Sequence, residues 1–189
     1  MLDKFHLKDK LIYKVYMNTN NSTTSNTNMS SPIRMIKNID ADQITFEPVK
    51  KNALGGNVVY LKHKNNPRVQ IQTPAVAAPF GMSTFTDEKT GAVKYSLDIS
   101  FRGMESEAKI KDFHDKMLSI DEMLIKEGVS HSKEWFGKKM SKEVIQEFYR
   151  PLVKPAKDPE KYAPTMKLKI PQGRDGSVSI DAYNHEKHK

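Results

Sequence analysis

Lys167 and Lys169 alternate with Met166, Leu168 and Ile170. In a strand, that spacing sends both ammonium groups to one face. Lys94 stands the same way beside Val93, Tyr95, Leu97, Ile99 and Phe101, and Arg68 beside Val69 and Ile71. Lys62 and Lys64 lie just upstream of Arg68. Cations repeated along a sheet surface suit a run of phosphates, and flat apolar side chains suit unstacked bases. The aromatic candidates are Phe80, in Pro79-Phe80-Gly81, and Tyr162, in Tyr162-Ala163-Pro164, where loops favour exposure. Tyr60 and Phe85 read instead as core residues, and Trp135-Phe136 as a short amphipathic helix packing against a β barrel.

Other chemistries lack their residues. With no cysteine, the chain has no thiol nucleophile, disulfide or thiolate-held metal. Gly55-Gly56 runs into Asn57-Val58, without the Gly-Lys-Ser/Thr of a phosphate loop. Of the six histidines only His185 and His188 are close, and they sit in a polar tail with no obvious third ligand. Asp112, Asp115, Asp121 and Glu122 are interleaved with lysines and read as a solvated helix face. The expectation is a non-enzymatic protein with no cofactor and no metal.

The chain has 189 residues and a net charge of +8, and 37% of its residues are hydrophobic. Its longest small apolar stretch, Ala75–Ala78, is far below the roughly 20 residues a membrane span needs. No membrane partner is expected. The charge is sorted along the chain. Lys50, Lys51, Lys62, Lys64 and Arg68 fall between positions 50 and 68 with no acid among them. Between 102 and 148, nine cations meet ten acids, whereas between 150 and 174 seven cations meet two. The basic excess therefore belongs to the extended segments. A polyanion is the partner this implies. The long helix is mixed in sign, unlike the basic recognition helix of a duplex reader.

The elements that must position these groups follow from periodicity. Asn18–Asn28 contains only Asn, Ser and Thr and reads as a flexible linker, so residues 1–28 form an arm and 29–189 the folded unit. The Met1–Met17 part lacks the order of a secretion signal. Strands are predicted at Gln43–Val49, Asn57–His63, Arg68–Gln72, Val93–Phe101 and Met166–Ile170, with a last one around Val178 and Ile180. Asn65-Asn66-Pro67 supplies turn residues for a hairpin between the second and third. A long helix spans Glu105–Glu127 and stops at Gly128. Ser132 caps a short helix at Lys133–Phe136, and Ser141 caps another at Lys142–Tyr149. Strands, then helices, then strands make a mainly β protein with a helical insertion, an α+β class. An OB-like small antiparallel barrel is one such architecture, and a generic α+β sheet is the other.

Several segments together resemble the OB-fold single-stranded DNA-binding proteins of nucleocytoplasmic large DNA viruses. They are Val69–Pro74, Ala78–Ser83, Lys94–Asp98, Glu134–Gly137 and Tyr162–Ile170, in the family's order across roughly 45–172. The resemblance implies a protein that coats single strands without sequence preference during viral DNA replication, recombination or repair. It implies a place in the host cytoplasm, at the virus factory, or in the nucleus, and not secretion. Viral replication proteins are candidate partners. The arm before residue 29 departs from the family. So does the end soon after Ile180, which implies a barrel incomplete at its C-terminus. Single-stranded DNA is the leading ligand, RNA is a further one, and the oligomeric state is open. Lys62, Lys64, Arg68, Lys94, Lys167 and Lys169 would contact phosphates, with Phe80 and Tyr162 stacking bases. Six such contacts correspond to a log–log salt slope of about -4. The second functional reading is a virion or replisome scaffold that makes protein contacts.

Overall fold

The computed structural model describes residues 34–35, 38–53, 55–64, 69, 71–173, 175–178 and 180. The N-terminal arm, Arg68, the Asn65-Asn66-Pro67 turn, His185 and His188 lie outside them.

Alternation over Val93–Ser100 (β8) gives the longest strand. It pairs antiparallel on one side with Met82–Thr86 (β7) and on the other with Thr165–Ile170 (β9). The register sets Ile99 opposite Met166 and Leu97 opposite Leu168, so one face of this sheet is apolar. Ile99, Met166 and Leu168 are buried there. Each such side chain contributes about 1.5–3 kcal/mol of transfer free energy.

The long helix Ala108–Ser130 (α1) presents Phe113, Met117, Ile120 and Leu124 to the same core at steps of three and four. Phe101, fully buried, stacks obliquely on Phe113 with ring centroids 5.4 Å apart. Two short helices follow, Ser132–Phe136 (α2) and Lys142–Phe148 (α3). The Ser141 hydroxyl caps α3 by accepting from the Val144 N–H, as its position predicts.

The remaining strands are short. Ile44–Phe46 (β2) pairs antiparallel with Leu61–His63 (β5), and Lys50–Lys51 (β3) with Asn57–Val58 (β4). Arg34–Met35 (β1) runs parallel to Ile71–Gln72 (β6). Ile39 and Ile44 join the core of the three-stranded sheet and α1, with Phe46, Leu61, Val69 and Ile71 packed at its margin. The class is α+β, as expected. Among the described residues the strands form small sheets and no closed barrel.

Several sequence expectations change. The 57–63 and 71–72 segments do not pair with each other; β5 pairs back to β2 and β6 pairs with β1. Asn57–His63 divides into β4 and β5. The strands β1, β3 and β7 have too little alternation or length to be read from the chain. Around Val178 the described residues form a single bridge, to Gln172. Gly128 does not end α1, which runs on to Ser130. It is buried where Ile145 packs, and a Cβ there would meet Ile145 Cγ2 at an ordinary 3.5 Å. The Ser132 hydroxyl does not cap α2; it accepts from the Met140 N–H and folds the following loop back.

Asp121 is the largest departure. It is buried on α1 rather than solvated. Its carboxylate accepts from the Tyr149 hydroxyl at 2.5 Å and from the backbone N–H groups of Leu152 at 2.9 Å and Val153 at 3.2 Å. The segment after α3 is thereby held to the long helix. Burial raises the pKa of this carboxyl above 3.8, against the pull of its donors. Replacing Asp121 by Ala strands those donors and is expected to cost about 3 kcal/mol in urea unfolding, and Asp121→Asn less. The folded chain holds the Asp121 proton more tightly than the unfolded one. The stability this contributes is therefore full below 3.8 and lost as pH rises through the raised folded value. Relative to Asp121→Asn, the wild type should lose stability across that acid window. An unchanged difference would show that the carboxyl is not buried as described.

Candidate nucleic-acid interface

The strand alternation that buries Ile99 and Leu168 turns their neighbours outward. Across the outer face of the sheet, Ser83, Ser96 and Lys169 form one cross-strand row. Phe85 faces Lys94 in the next row, and Asp98 faces Lys167 on the other side. Lys94, Lys167 and Lys169, predicted as phosphate contacts from separate segments, thus share one surface.

That surface is less positive than its lysines suggest. The Lys167 ammonium donates to Asp98 Oδ2 at 2.6 Å. Lys94 lies 3.7 Å from Asp87 Oδ2 in the turn between β7 and β8. The backbone N–H groups of Thr90 and Lys89, joined by Lys94, hold the Asp87 carboxyl below the usual range. Lys169 is exposed and makes no ion pair among the described residues. Charge counted along β8 and β9 missed this pairing, because register decides which acid meets which base.

Phe85 is 60% exposed, on the outer face across from Lys94, and not in the core. Phe80 is 72% exposed in the loop that leads into β7. There Gly81 has a left-handed backbone (φ +61°) that suits glycine. Tyr162 is 67% exposed just before β9. The two predicted stackers are therefore solvent-facing at the ends of strands of this sheet, and Phe85 adds a third aromatic.

Lys62 and Lys64 belong to another hairpin. Lys62, opposite Thr45 on β5, lies 3.1 Å from Glu47 Oε1, and Lys50 lies 2.6 Å from Glu47 Oε2. The hydrogen bonds from Lys50 and Lys62 hold the Glu47 carboxyl below its ordinary value. The Lys50 ammonium also stands 5.6 Å from the centroid of the Tyr60 ring, and Tyr60 is exposed rather than core. Lys64 is exposed, in a left-handed backbone conformation. Among the described residues no strand pairing joins this hairpin to β7–β9.

Trp135 is buried, with its ring 5.1 Å from Phe46, and its carbonyl accepts from Asn57 Nδ2 at 2.6 Å. This is the packing role its sequence position predicts. The histidines show no shared site among the described residues. His63 is buried in β5, His114 stacks edge-on to Phe101, and His131 lies flat on Trp135 between Glu127 and Glu134.

Residues 97–163 match a family of unknown function, DUF5871. Nothing among the curated proteins or the solved structures matches the chain. The matched stretch holds the end of β8, α1, α2, α3, Asp121 and Trp135. Lys94, Lys167 and Lys169 lie outside it.

A second cationic surface was averaged away in the sequence. Lys133, Lys138, Lys139 and Lys142 are exposed around the α2–α3 turn and make no ion pair among the described residues. No acid stands between Glu134 and Glu143. A long counting window hid this run among the acids of α1.

The Lys50–Glu47–Lys62 contact sets whether Lys62 is available to a phosphate. In the double variant Lys50→Ala, Lys62→Ala, the Glu47 carboxyl should titrate upward, back towards 4.5, by NMR. An unmoved value would mean that these lysines are not engaged and that Lys62 is free.

Proposed function

We propose that the protein binds single-stranded DNA without sequence preference on the outer face of the β7–β8–β9 sheet, in viral DNA replication, recombination or repair. The observation that carries this reading is the exposed Phe85 facing Lys94, with Lys169 exposed on the same surface and in no ion pair among the described residues. Phe80 and Tyr162, at the approaches to β7 and β9, extend the aromatic platform. Cations track the backbone, and aromatic faces accept any base. Lys167 joins once a phosphate competes with Asp98 for its ammonium. The resemblance to viral OB-fold single-strand binders points the same way. In the finer, OB-type reading of the fold, the small sheets wrap the common core. Ile39 and Ile44 packing with Ile99 and Phe101 supports that reading. The direct antiparallel pairing of the strands that flank the helices is what it must accommodate. Action in the host cytoplasm or nucleus belongs to the same proposal.

The scaffold reading draws on a different observation. Phe80, Met82 and Phe85 are large apolar groups exposed close together in sequence, as at protein contacts.

Anisotropy of a labelled dT oligomer across salt tests the DNA reading. The double variant Lys167→Glu, Lys169→Glu should weaken binding more than Lys138→Glu, Lys139→Glu. If the two phosphate contacts are lost, the log–log slope should become shallower by about 1.4. Phe85→Ala should cost about 1–3 kcal/mol of affinity. Asp98→Asn, which releases Lys167, should tighten binding. No binding at low salt rules out the proposal, and equal loss in the two lysine pairs removes the sheet face as the site. Competition between DNA and RNA of equal length then decides the sugar.

A further inference from the structure

Among the described residues β7 has a strand neighbour on one side only. The hydrogen-bond phase of its ladder follows from the turn that leads to β8. The Asp87 N–H donates to the Ala92 carbonyl at 2.9 Å, so residues 87 and 92 form a hydrogen-bonded pair. Bonded pairs recur every second residue in an antiparallel ladder. Phe85 and Ser83 therefore bond to β8. The N–H and C=O groups of Met82, Thr84 and Thr86 point the other way, into the open edge. No backbone partner reaches them among the described residues.

Natural sheets protect such an edge with lysine, proline or a bulge inside the strand. Met82-Ser83-Thr84-Phe85-Thr86 has none of these, and it carries no charge. All of it except Ser83 is exposed. The opposite edge of the sheet differs. β9 carries Lys167 and Lys169, and its end is covered by the bridge from Lys154 to Thr165.

We propose that the β7 edge pairs antiparallel with the β7 edge of a second copy, about a two-fold axis at Thr84. Two features select a second copy as the occupant. The strand matches itself in this register: Thr84 meets Thr84 and Met82 meets Thr86, so every outward N–H and C=O finds its complement. The chain carries +8 and repels its own copies, so a self-contact must form where charge is absent, as it is along this strand. Phe85 lies diagonal to its counterpart, within aromatic reach. The result is one continuous sheet in the order β9-β8-β7-β7-β8-β9. Its outer face carries Lys94, Lys167 and Lys169 from both copies and stays open, so pairing stands independently of DNA binding.

Sedimentation of the full chain over a range of concentrations and salt, without DNA, tests this pairing. A dimer that dissociates on dilution and strengthens with added salt is expected, the opposite salt dependence to DNA binding. Thr84→Lys puts two like charges on the axis and should weaken the dimer about tenfold or more, with the circular dichroism spectrum unchanged. Because the chain has no cysteine, Thr84→Cys supplies a second readout. Bonded antiparallel partners have Cα atoms about 5.5 Å apart, inside the disulfide range of about 4.4–6.8 Å. Mild oxidation should link Thr84→Cys into a covalent dimer and leave Lys157→Cys monomeric. A wild type that is monomeric throughout overturns the pairing. So does a dimer indifferent to Thr84→Lys, or equal cross-linking of the two cysteine variants. Slow hydrogen exchange at Met82, Thr84 and Thr86 in a monomer would overturn it as well, because the edge would then be covered within one chain.

Discussion

The structure depends on the antiparallel pairing of β8 with β9. These strands are neighbours in the sheet, yet α1, α2 and α3 lie between them in sequence. Closing so long an excursion costs chain entropy, which local contacts cannot offset. The return comes from Ile99 and Leu97 meeting Met166 and Leu168, and from α1 laying Phe113, Met117, Ile120 and Leu124 over that apolar face. The same register fixes the other side of the sheet. Once Ile99 faces Met166, Asp98 must face Lys167, and Lys169 must stand beside Ser96.

The helical excursion carries its own internal tie. Asp121 gathers Tyr149, Leu152 and Val153 onto α1, so α3 and the segment after it return the chain towards β9 along a defined path. A buried carboxylate is tolerated because three donors satisfy it, and its loss would leave all three unsatisfied. This tie and the Trp135 packing both fall in the stretch that matches the family of unknown function, and most of the proposed DNA contacts do not. The matched stretch is thus the part that organises the core, with the cationic strands on its flanks.

Charge and shape pull in different directions on the sheet. A purely basic face would bind polyanions more strongly but would repel itself. Asp98 and Asp87 hold Lys167 and Lys94 in place at the expense of free positive charge, and Lys169 is exposed with no ion pair among the described residues. The uncharged β7 edge is the complementary feature. It is the part of the sheet where two positively charged copies can approach.

Where side chains alternate or recur at helical spacing, the chain alone determined much. It set β8, β9, the long helix, the Ser141 cap, the packing of Trp135, the α+β class and the outward direction of Lys94, Lys167 and Lys169, each on its own strand. These are local properties, because the period of two or 3.6 is written in neighbouring residues. Tertiary structure alone decided that β5 pairs with β2, that β7 is a strand with an open edge and that Phe85 and Tyr60 face solvent. It also decided that Asp121 is buried and that Lys62 and Lys167 are held by carboxylates. Each of these depends on a partner distant in sequence, and the residue types at either position do not name the partner. A charged side chain reads as solvated until a fold brings donors to it, and a lysine reads as free until register places an acid across the strand.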